Sequence, residues 1–310
     1  MNLRNLLILI GLSTFSLFHA CAPKKEEKAK ETLVSLSPRE IALQDRIQRF
    51  FANSPSPIEI ITYIYSAELP YTPEYLNSAL LYDKYLTTNL KKSLNLGVYL
   101  SDLGYTCLYY KPQDAITYLK TCKAMFTELG IMEAFDSSMI IRFERNLDSR
   151  DSLISIMREA VSNSNDYLAA NERNDIAAMI VTGSWVEGMY MATNSIRGRE
   201  LEEKSQKVIW KIGEQKATLD SLIAIVDLVN DQGFAQKMHH QLSELKKAFD
   251  QVEYIEENVP DQFVDISKVD KVEQVTELTV INDARKVQIS LENLDAITDQ
   301  LEAIRKEMVE

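Results

Sequence analysis

The sequence predicts an all-α protein, an irregular multi-helix bundle or a stack of helical hairpins with about 10–12 helices. Three observations lead to this fold class. Glycine and proline are scarce, 9 and 8 among 310 residues, less than half of their average combined usage of about 12%. Apolar residues recur at steps of three and four near the end of the chain. Helix-start signals also recur along the sequence.

The clearest helix starts are capping boxes with proline at the first helical position. Ser37 to Glu40 and Ser56 to Glu59 both read Ser-Pro-x-Glu. In such a box the serine side chain accepts from the third helical N–H, and the glutamate reaches back to the serine N–H. Proline suits the first position because its missing N–H would have no helical partner there. Both segments therefore predict a helix that begins at the proline.

Weaker start signals at Thr72 and Asp148 divide the chain further. The first half is predicted to form short helices over 38–53, 57–67, 73–88, 90–110, 112–129 and 131–146. The second half is predicted to form helices over 149–171, 174–195, 199–214, 216–231, 235–258 and 284–308. The pair separated by Lys111-Pro112 is predicted to be a helical hairpin, with Gly130 at the end of its second helix.

Three glycines inside predicted helices indicate close helix–helix contacts. They are Gly97, Gly183 and Gly188. Glycine in a helix interior costs about 1 kcal/mol relative to alanine, so it needs a packing reason.

The last predicted helix carries one apolar stripe, which is expected to pack onto the bundle rather than onto a coiled-coil partner. The stripe consists of Leu291, Leu294, Ile297, Leu301, Ile304 and Met308. Pro260 interrupts the preceding pattern, and 275–280 alternates like a single strand without an evident partner. Residues 37–258 are thus predicted to be an all-helical domain, followed over 259–310 by a loop and the C-terminal helix.

The amino terminus has the layout of a bacterial lipoprotein signal. Arg4 precedes a mostly apolar run of 13 residues that ends at Phe18, and Cys21 follows. A membrane-spanning helix needs about 20 residues, so the run indicates a signal peptide over 1–20. Ordinary secretion, the first alternative, fits less well because Phe18 is bulky where a small residue is usual; an uncleaved anchor is the second alternative. Acylation of Cys21 is therefore expected, with attachment to a membrane.

Residues 21–36 are predicted to be a flexible tether, because their charged sequence cannot bury enough apolar surface to become ordered. By resemblance to lipoprotein sorting rules, Ala22 after Cys21 disfavours retention at an inner membrane. The expected location is the outer membrane, on its periplasmic or surface face. The chain carries net charge −12, which repels phosphate backbones and excludes nucleic acid as an expected partner. Cys107 and Cys122 are expected to be buried thiols rather than a disulfide.

Three segments, 94–105, 118–131 and 183–188, together resemble a family of all-helical Bacteroidetes lipoproteins without an assigned activity. The resemblance covers about 35–200 and implies the fold and the envelope location, but no chemistry. The hairpin over 94–130 is also similar to one degenerate tetratricopeptide unit, although no 34-residue period recurs.

Two acidic residues stand out because they lie in otherwise apolar helical runs. Asp102 and Glu187 would be costly to bury without partners, and Arg142 and Arg145 are candidate partners. One interpretation is a buried polar network that holds the helices in register. The alternative is a carboxylate pair for acid–base chemistry, as in a hydrolase of envelope polymers.

Tyrosine is concentrated in one part of the chain, with 11 of the 14 tyrosines between residues 63 and 118. Tyrosine enriches binding surfaces because it is large, rigid and amphipathic. Tyr99, Tyr105 and Trp185 are therefore candidate ligand-binding residues for a protein or glycan partner. The alternative is ordinary packing between helices.

The sequence offers no catalytic motif. It contains no phosphate loop, dinucleotide glycine pattern or nucleophile elbow, and no metal or cofactor is expected. His239 and His240 are adjacent, so they point about 100° apart on a helix and do not match zinc-site spacing. The sequence predicts a cell-envelope lipoprotein that acts as a helical binding or scaffold module. Its oligomeric state is open.

Overall fold

The computed structural model of the protein confirms the all-α fold. It describes residues 36–53, 57–134, 137–199, 203–231, 233–256 and 285–310. The α-helices in these ranges are α1 (Pro38–Asn53), α2 (Pro57–Ser66), α3 (Asn89–Leu108), α4 (Pro112–Glu128), α5 (Ser137–Arg145), α6 (Arg150–Ala170), α7 (Asn174–Ile196), α8 (Glu203–Val226), α9 (Phe234–Phe249) and α10 (Leu291–Val309). Short 3-10 segments cover Pro73–Tyr75, Ala79–Tyr85 and Met132–Ala134.

The first capping box forms as predicted. The Ser37 N–H donates to the Glu40 carboxylate at 2.7 Å, and the Glu40 N–H donates to the Ser37 hydroxyl at 3.2 Å. Helix α2 begins at Pro57, as the second box predicts. Ser56 itself lies outside the described residues.

Helices α3 and α7 cross closely at the centre of the molecule. A Cβ atom on Gly97 would lie 2.1 Å from the Ile180 carbonyl oxygen, and one on Gly183 would lie 1.9 Å from the Leu94 carbonyl oxygen. Only glycine permits this approach of two backbones. The Ser184 hydroxyl also donates to the Gly97 carbonyl at 2.9 Å. The close contact predicted for these two glycines is confirmed.

The other helices surround this crossing. Helix α4 returns along α3, and the hairpin ends at Gly130, whose φ of +65° suits glycine. Helices α5 and α6 pack on one another, and α6 contacts α3 and α7. On the other side, α8 and α10 pack against α7, and α9 packs against α8 and α10. Helices α1 and α2 lie against α7 and α8. Since α7 is covered from several directions, its residues are buried on nearly all sides.

The helix predicted over 73–88 is wrong. That segment forms two short 3-10 turns, because its backbone groups are used by distant side chains instead of by a helix. The Asn77 N–H donates to the Asp102 carboxyl group at 3.2 Å, and the Asn77 carbonyl accepts from the Tyr118 hydroxyl at 2.9 Å.

The break predicted near residue 215 is also wrong, since α8 runs without interruption from Glu203 to Val226. Gln215 lies inside this helix, buried, and accepts a hydrogen bond from Trp185. The predicted helix over 131–146 begins instead with a 3-10 turn, and α5 starts at Ser137.

Two predicted helices are shorter than expected. The C-terminal end of the first and the N-terminal end of the second form an antiparallel β pair instead. Strand β1 (Glu253–Glu256) lies within the helix predicted over 235–258, and β2 (Arg285–Gln288) lies within the one predicted over 284–308. The register places Tyr254 opposite Val287. The segment over 275–280 that alternates like a strand lies outside the described residues, as does most of the predicted loop.

The predicted signal peptide, Cys21 and the tether up to residue 35 also lie outside the described part of the chain. Within the part that is described, no helix is both long enough and apolar enough to cross a membrane.

Candidate ligand cavity and buried carboxylate network

A cavity of about 300 Å³ lies among the first seven helices. Each of α1 to α7 contributes to its wall, and most of the lining is apolar. Buried side chains of the wall include Leu103, Phe126, Met139, Phe143, Met157 and Val181. Its volume is at the lower end of the range of about 300–1,000 Å³ typical of ligand sites. Unfilled apolar volume lowers stability by about 24 cal/mol per Å³ in protein cores, so a cavity of this size needs a reason.

The rim of the cavity is polar on the side formed by α6. Arg158 and Ser162 are exposed members of the lining, and Asn165 is half-buried. Their spacing of four and three residues puts them on one face of the helix. The cavity therefore combines an apolar interior with a polar edge that reaches solvent.

The polar groups deeper in the wall are already satisfied. The Ser101 hydroxyl donates to the Ser184 carbonyl at 3.0 Å, and the Ser184 hydroxyl donates to the Gly97 carbonyl. The Ser164 hydroxyl donates to the Ala134 carbonyl at 2.9 Å. These serines therefore present little unmet polarity to a molecule inside the cavity, which favours an apolar occupant.

The two candidate carboxyl groups meet in the interior, between α3 and α7. Asp102 and Glu187 are both 0% exposed. The Arg305 guanidinium of α10 holds Glu187 in a two-pronged ion pair, with Nε–Oε2 at 2.7 Å and Nη2–Oε1 at 2.9 Å. Arg305 also donates to the Tyr75 carbonyl and lies 4.2 Å from the centre of the Tyr190 ring. A buried pair with these extra contacts is a well-satisfied network.

The surroundings of Asp102 favour its protonated form. Burial, and next the negative charge of Glu187, raise the pKa of Asp102 well above its usual value. Burial raises the pKa of Glu187 as well, while Arg305 opposes that shift. The geometry agrees with these directions, since the Asp102 Oδ1 accepts no hydrogen bond from the described residues, whereas both Glu187 oxygens accept from Arg305. Arg305 thus stabilises the ionised form of Glu187, and the negative charge of Glu187 disfavours ionisation of Asp102.

The predicted arginine partners of this pair are wrong. Arg142 is exposed and pairs with Glu159 at 2.9 Å, and Arg145 is also exposed. The true partner, Arg305, had one sequence signal. It follows Leu301 by four residues, so it lies on the apolar stripe of α10, where a cation needs a buried partner.

The three aromatic candidates lie in the core rather than on a surface, since Tyr99, Tyr105 and Trp185 are each 0% exposed. Each polar group has an internal partner. The Tyr99 hydroxyl donates to the Ser78 carbonyl, the Tyr105 hydroxyl accepts from the Thr72 N–H, and the Trp185 Nε1–H donates to Gln215. In this arrangement the three side chains do not line an open groove, because neighbouring helices cover them.

A different part of the tyrosine cluster reaches solvent. Tyr65, Tyr109 and Tyr110 line an open cleft of about 320 Å³ together with Arg150. Tyr65 and Tyr110 are exposed, and the Arg150 guanidinium lies 4.9 Å from the centre of the Tyr65 ring. A sugar ring or a peptide side chain would find stacking surface here.

The remaining candidates show little reactivity. Cys107 and Cys122 are buried and free, as expected, and burial raises the pKa of the Cys107 thiol to about 12. Thiols of this kind are inert because the thiolate is the nucleophile. Among the residues that the structure describes, no group of three His, Cys, Asp or Glu side chains is placed to hold a metal ion.

Fold and site together define the class of protein: an all-helical protein with an apolar cavity and a buried carboxylate–guanidinium network, both built on α3 and α7. No protein-family model, curated protein or solved structure matches the chain. The resemblance to a lipoprotein family therefore stays a prediction from the sequence.

Proposed function

We propose that the protein is a cell-envelope lipoprotein, attached through an acylated Cys21, that acts as a helical binding module for a small apolar molecule. The observation that carries the proposal is the apolar cavity of about 300 Å³ among α1 to α7. The signal-like residues 1–20 and the charged segment after Cys21 support the location. The acidic chain supports solubility of the tethered body.

The alternative function, a hydrolase that uses Asp102 and Glu187, has no geometric support. Both carboxyl groups are fully buried, and Glu187 is paired with Arg305. A polymer substrate could reach neither group without separation of the helices.

Binding is tested with a soluble form that starts at Ala22 and keeps every described residue. An apolar fluorescent probe, N-phenyl-1-naphthylamine, should bind with one-to-one stoichiometry and gain fluorescence. Ala160→Phe should weaken binding at least about tenfold, a loss of about 1.4 kcal/mol, because Ala160 lines the cavity. Ile154→Phe is the matched control, since Ile154 is a half-buried residue of the same helix outside the lining. Absence of saturable binding to the unaltered protein would overturn the cavity as a ligand site.

Attachment is tested by growth of bacteria expressing the full chain with radiolabelled palmitate. The unaltered chain should take up label and fractionate with membranes, and Cys21→Ser should do neither. Cys107→Ser should keep the label because Cys107 is buried in the folded body. Label on the Cys21→Ser chain, or none on the unaltered chain, would contradict lipidation. Protease treatment of intact cells then distinguishes the two faces of the membrane.

A further inference from the structure

We propose that the molecule bound in the cavity is a single-chain fatty acid, with its alkyl chain in the apolar interior and its carboxylate at Arg158. This assignment rests on the proposed function, since it names the ligand of the same cavity. It goes further by specifying the class of ligand and the residue that recognises its polar end.

The interior favours an alkyl chain. Its wall consists largely of aliphatic and aromatic side chains from seven helices. Ser101, Ser164 and Ser184 donate their hydroxyl protons to backbone carbonyls, so the interior provides few hydrogen-bonding groups for a polar or sugar-like molecule. A volume of about 300 Å³, at the lower limit for ligand sites, suits one chain rather than the two chains of a phospholipid.

The rim of the cavity favours a ligand with a negatively charged end. Arg158 is the basic residue of the lining, and it forms no ion pair with any residue that the structure describes. Its neighbours at three and four residues along α6 are Ser155, Ile154, Val161 and Ser162, none of them acidic. The acidic residue of the lining, Glu59, already interacts with another group. The Arg158 guanidinium is therefore the charged group of the lining that a ligand can bind. Its geometry allows two parallel hydrogen bonds to the two oxygens of a carboxylate.

The neighbouring polar side chains complete the rim. Ser162 follows Arg158 by four residues and Asn165 follows by seven, so a hydroxyl and an amide lie on the same face as the guanidinium. Both groups can donate hydrogen bonds to a carboxylate. One helix face thus supplies charge and hydrogen bonds beside an opening into an apolar interior.

The test compares dodecanoate with dodecanol by calorimetric titration of the soluble form that starts at Ala22. The two ligands share the alkyl chain and differ in the charge at one end. Each affinity is first corrected for the free energy of transferring that ligand out of water. After this correction, dodecanoate should bind about three- to fivefold more tightly than dodecanol, the range for a partly exposed ion pair. Arg158→Gln should remove this advantage and leave dodecanol binding unchanged. High salt should reduce the dodecanoate advantage as well.

The matched control is Arg145→Gln, which removes an exposed arginine of α5 that is absent from the lining. It should leave both affinities unchanged. A series from octanoate to dodecanoate should gain about fourfold in affinity per added methylene while the chain is still being buried. Val161→Phe, at the half-buried edge of the cavity, provides a second blocking variant in case Ala160→Phe does not fold.

The outcomes separate the two proposals. If neither ligand binds, the cavity is not a ligand site and the proposed function fails with it. If dodecanol and dodecanoate bind but Arg158→Gln affects both equally or neither, the fatty-acid assignment is overturned while the apolar binding function stands. Loss confined to dodecanoate in Arg158→Gln supports the assignment.

Discussion

Three side chains at the centre of the molecule, Asp102, Glu187 and Arg305, form one electrostatically coupled network. Arg305 pairs with both oxygens of Glu187, and burial together with the charge of Glu187 raises the pKa of Asp102. Because a buried carboxylate without a partner is costly, this arrangement constrains which protonation state the folded protein accepts.

A pH dependence of stability follows from Asp102. Its pKa in the folded protein is raised, so the folded state keeps a proton that the unfolded chain releases above about pH 4. The contribution of this group to stability is therefore full at low pH and is lost as pH rises toward the folded pKa. Asp102→Asn imitates the protonated acid and should remove that loss. The free energy of unfolding is measured in urea for both proteins. The value for the variant should increase relative to that for the unaltered protein as pH rises from 4 to 8.

The control is Asp166→Asn, which changes an exposed aspartate of α6. Its stability should run parallel to that of the unaltered protein over the same pH range. A constant difference between Asp102→Asn and the unaltered protein from pH 4 to pH 8 would mean that Asp102 holds no extra proton in the folded state.

At the scale of elements, the crossing of α3 and α7 limits the size of side chains. Gly97→Ala and Gly183→Ala would each put a methyl group within about 2 Å of a backbone oxygen on the other helix. The helices would have to separate, so each variant should lose more than about 3 kcal/mol of unfolding free energy, the upper end for overpacked cores. Thermal unfolding monitored by circular dichroism measures the loss.

Gly104→Ala is the matched control for this crossing. Gly104 is also in α3, but its added methyl group would lie 3.5 Å from the flexible end of Met157, an ordinary contact. Its stability should stay unchanged or rise by up to about 1 kcal/mol, because alanine is the better helix former. Equal losses in all three variants would show that the loss does not depend on the space available at the crossing of α3 and α7.

Element boundaries could be predicted where local chemistry determines them. The box at Ser37 depends on residues three apart and forms as expected. The segment over 73–88 has a similar proline start, yet it does not become a helix, since the Asn77 backbone bonds to α3 and α4 instead. These side chains compete with helical hydrogen bonds for the Asn77 backbone. A local sequence pattern cannot reveal this competition, because Asp102 and Tyr118 are 25 and 41 residues away from Asn77.

At the scale of the whole molecule, α10 closes the bundle from the far end of the chain. Its apolar stripe is buried against α7 and α9, with Ile297, Leu301 and Met308 each 0% exposed. The Asn95 amide and the Tyr85 hydroxyl donate to the last carbonyls of this helix, at 3.0 and 2.9 Å. The C-terminal helix is thus an integral part of the core.

Deletion of residues 291–310 should therefore unfold the protein. Burial of each large apolar side chain contributes about 1.5–3 kcal/mol, and the stripe has five such residues after Leu291, against a typical total stability of about 5–15 kcal/mol. The deletion also leaves Glu187 without Arg305. The truncated chain should show no cooperative thermal transition. A truncation that begins at residue 36 is the control and should keep one, because 36–310 form a compact unit by themselves.

The sequence by itself determined the helical class, most helix starts, the close approach at Gly97 and Gly183, and the burial of Asp102 and Glu187. Helix caps, apolar periodicity, and glycines or charges inside apolar helical segments are patterns that span only a few residues. They can therefore be recognised in the sequence alone. Only the tertiary structure decided that Arg305 neutralises Glu187 across 118 residues, that Tyr99 is core, and that seven helices leave an apolar cavity. Those properties arise from contacts between distant segments and from the volume that their side chains leave unfilled.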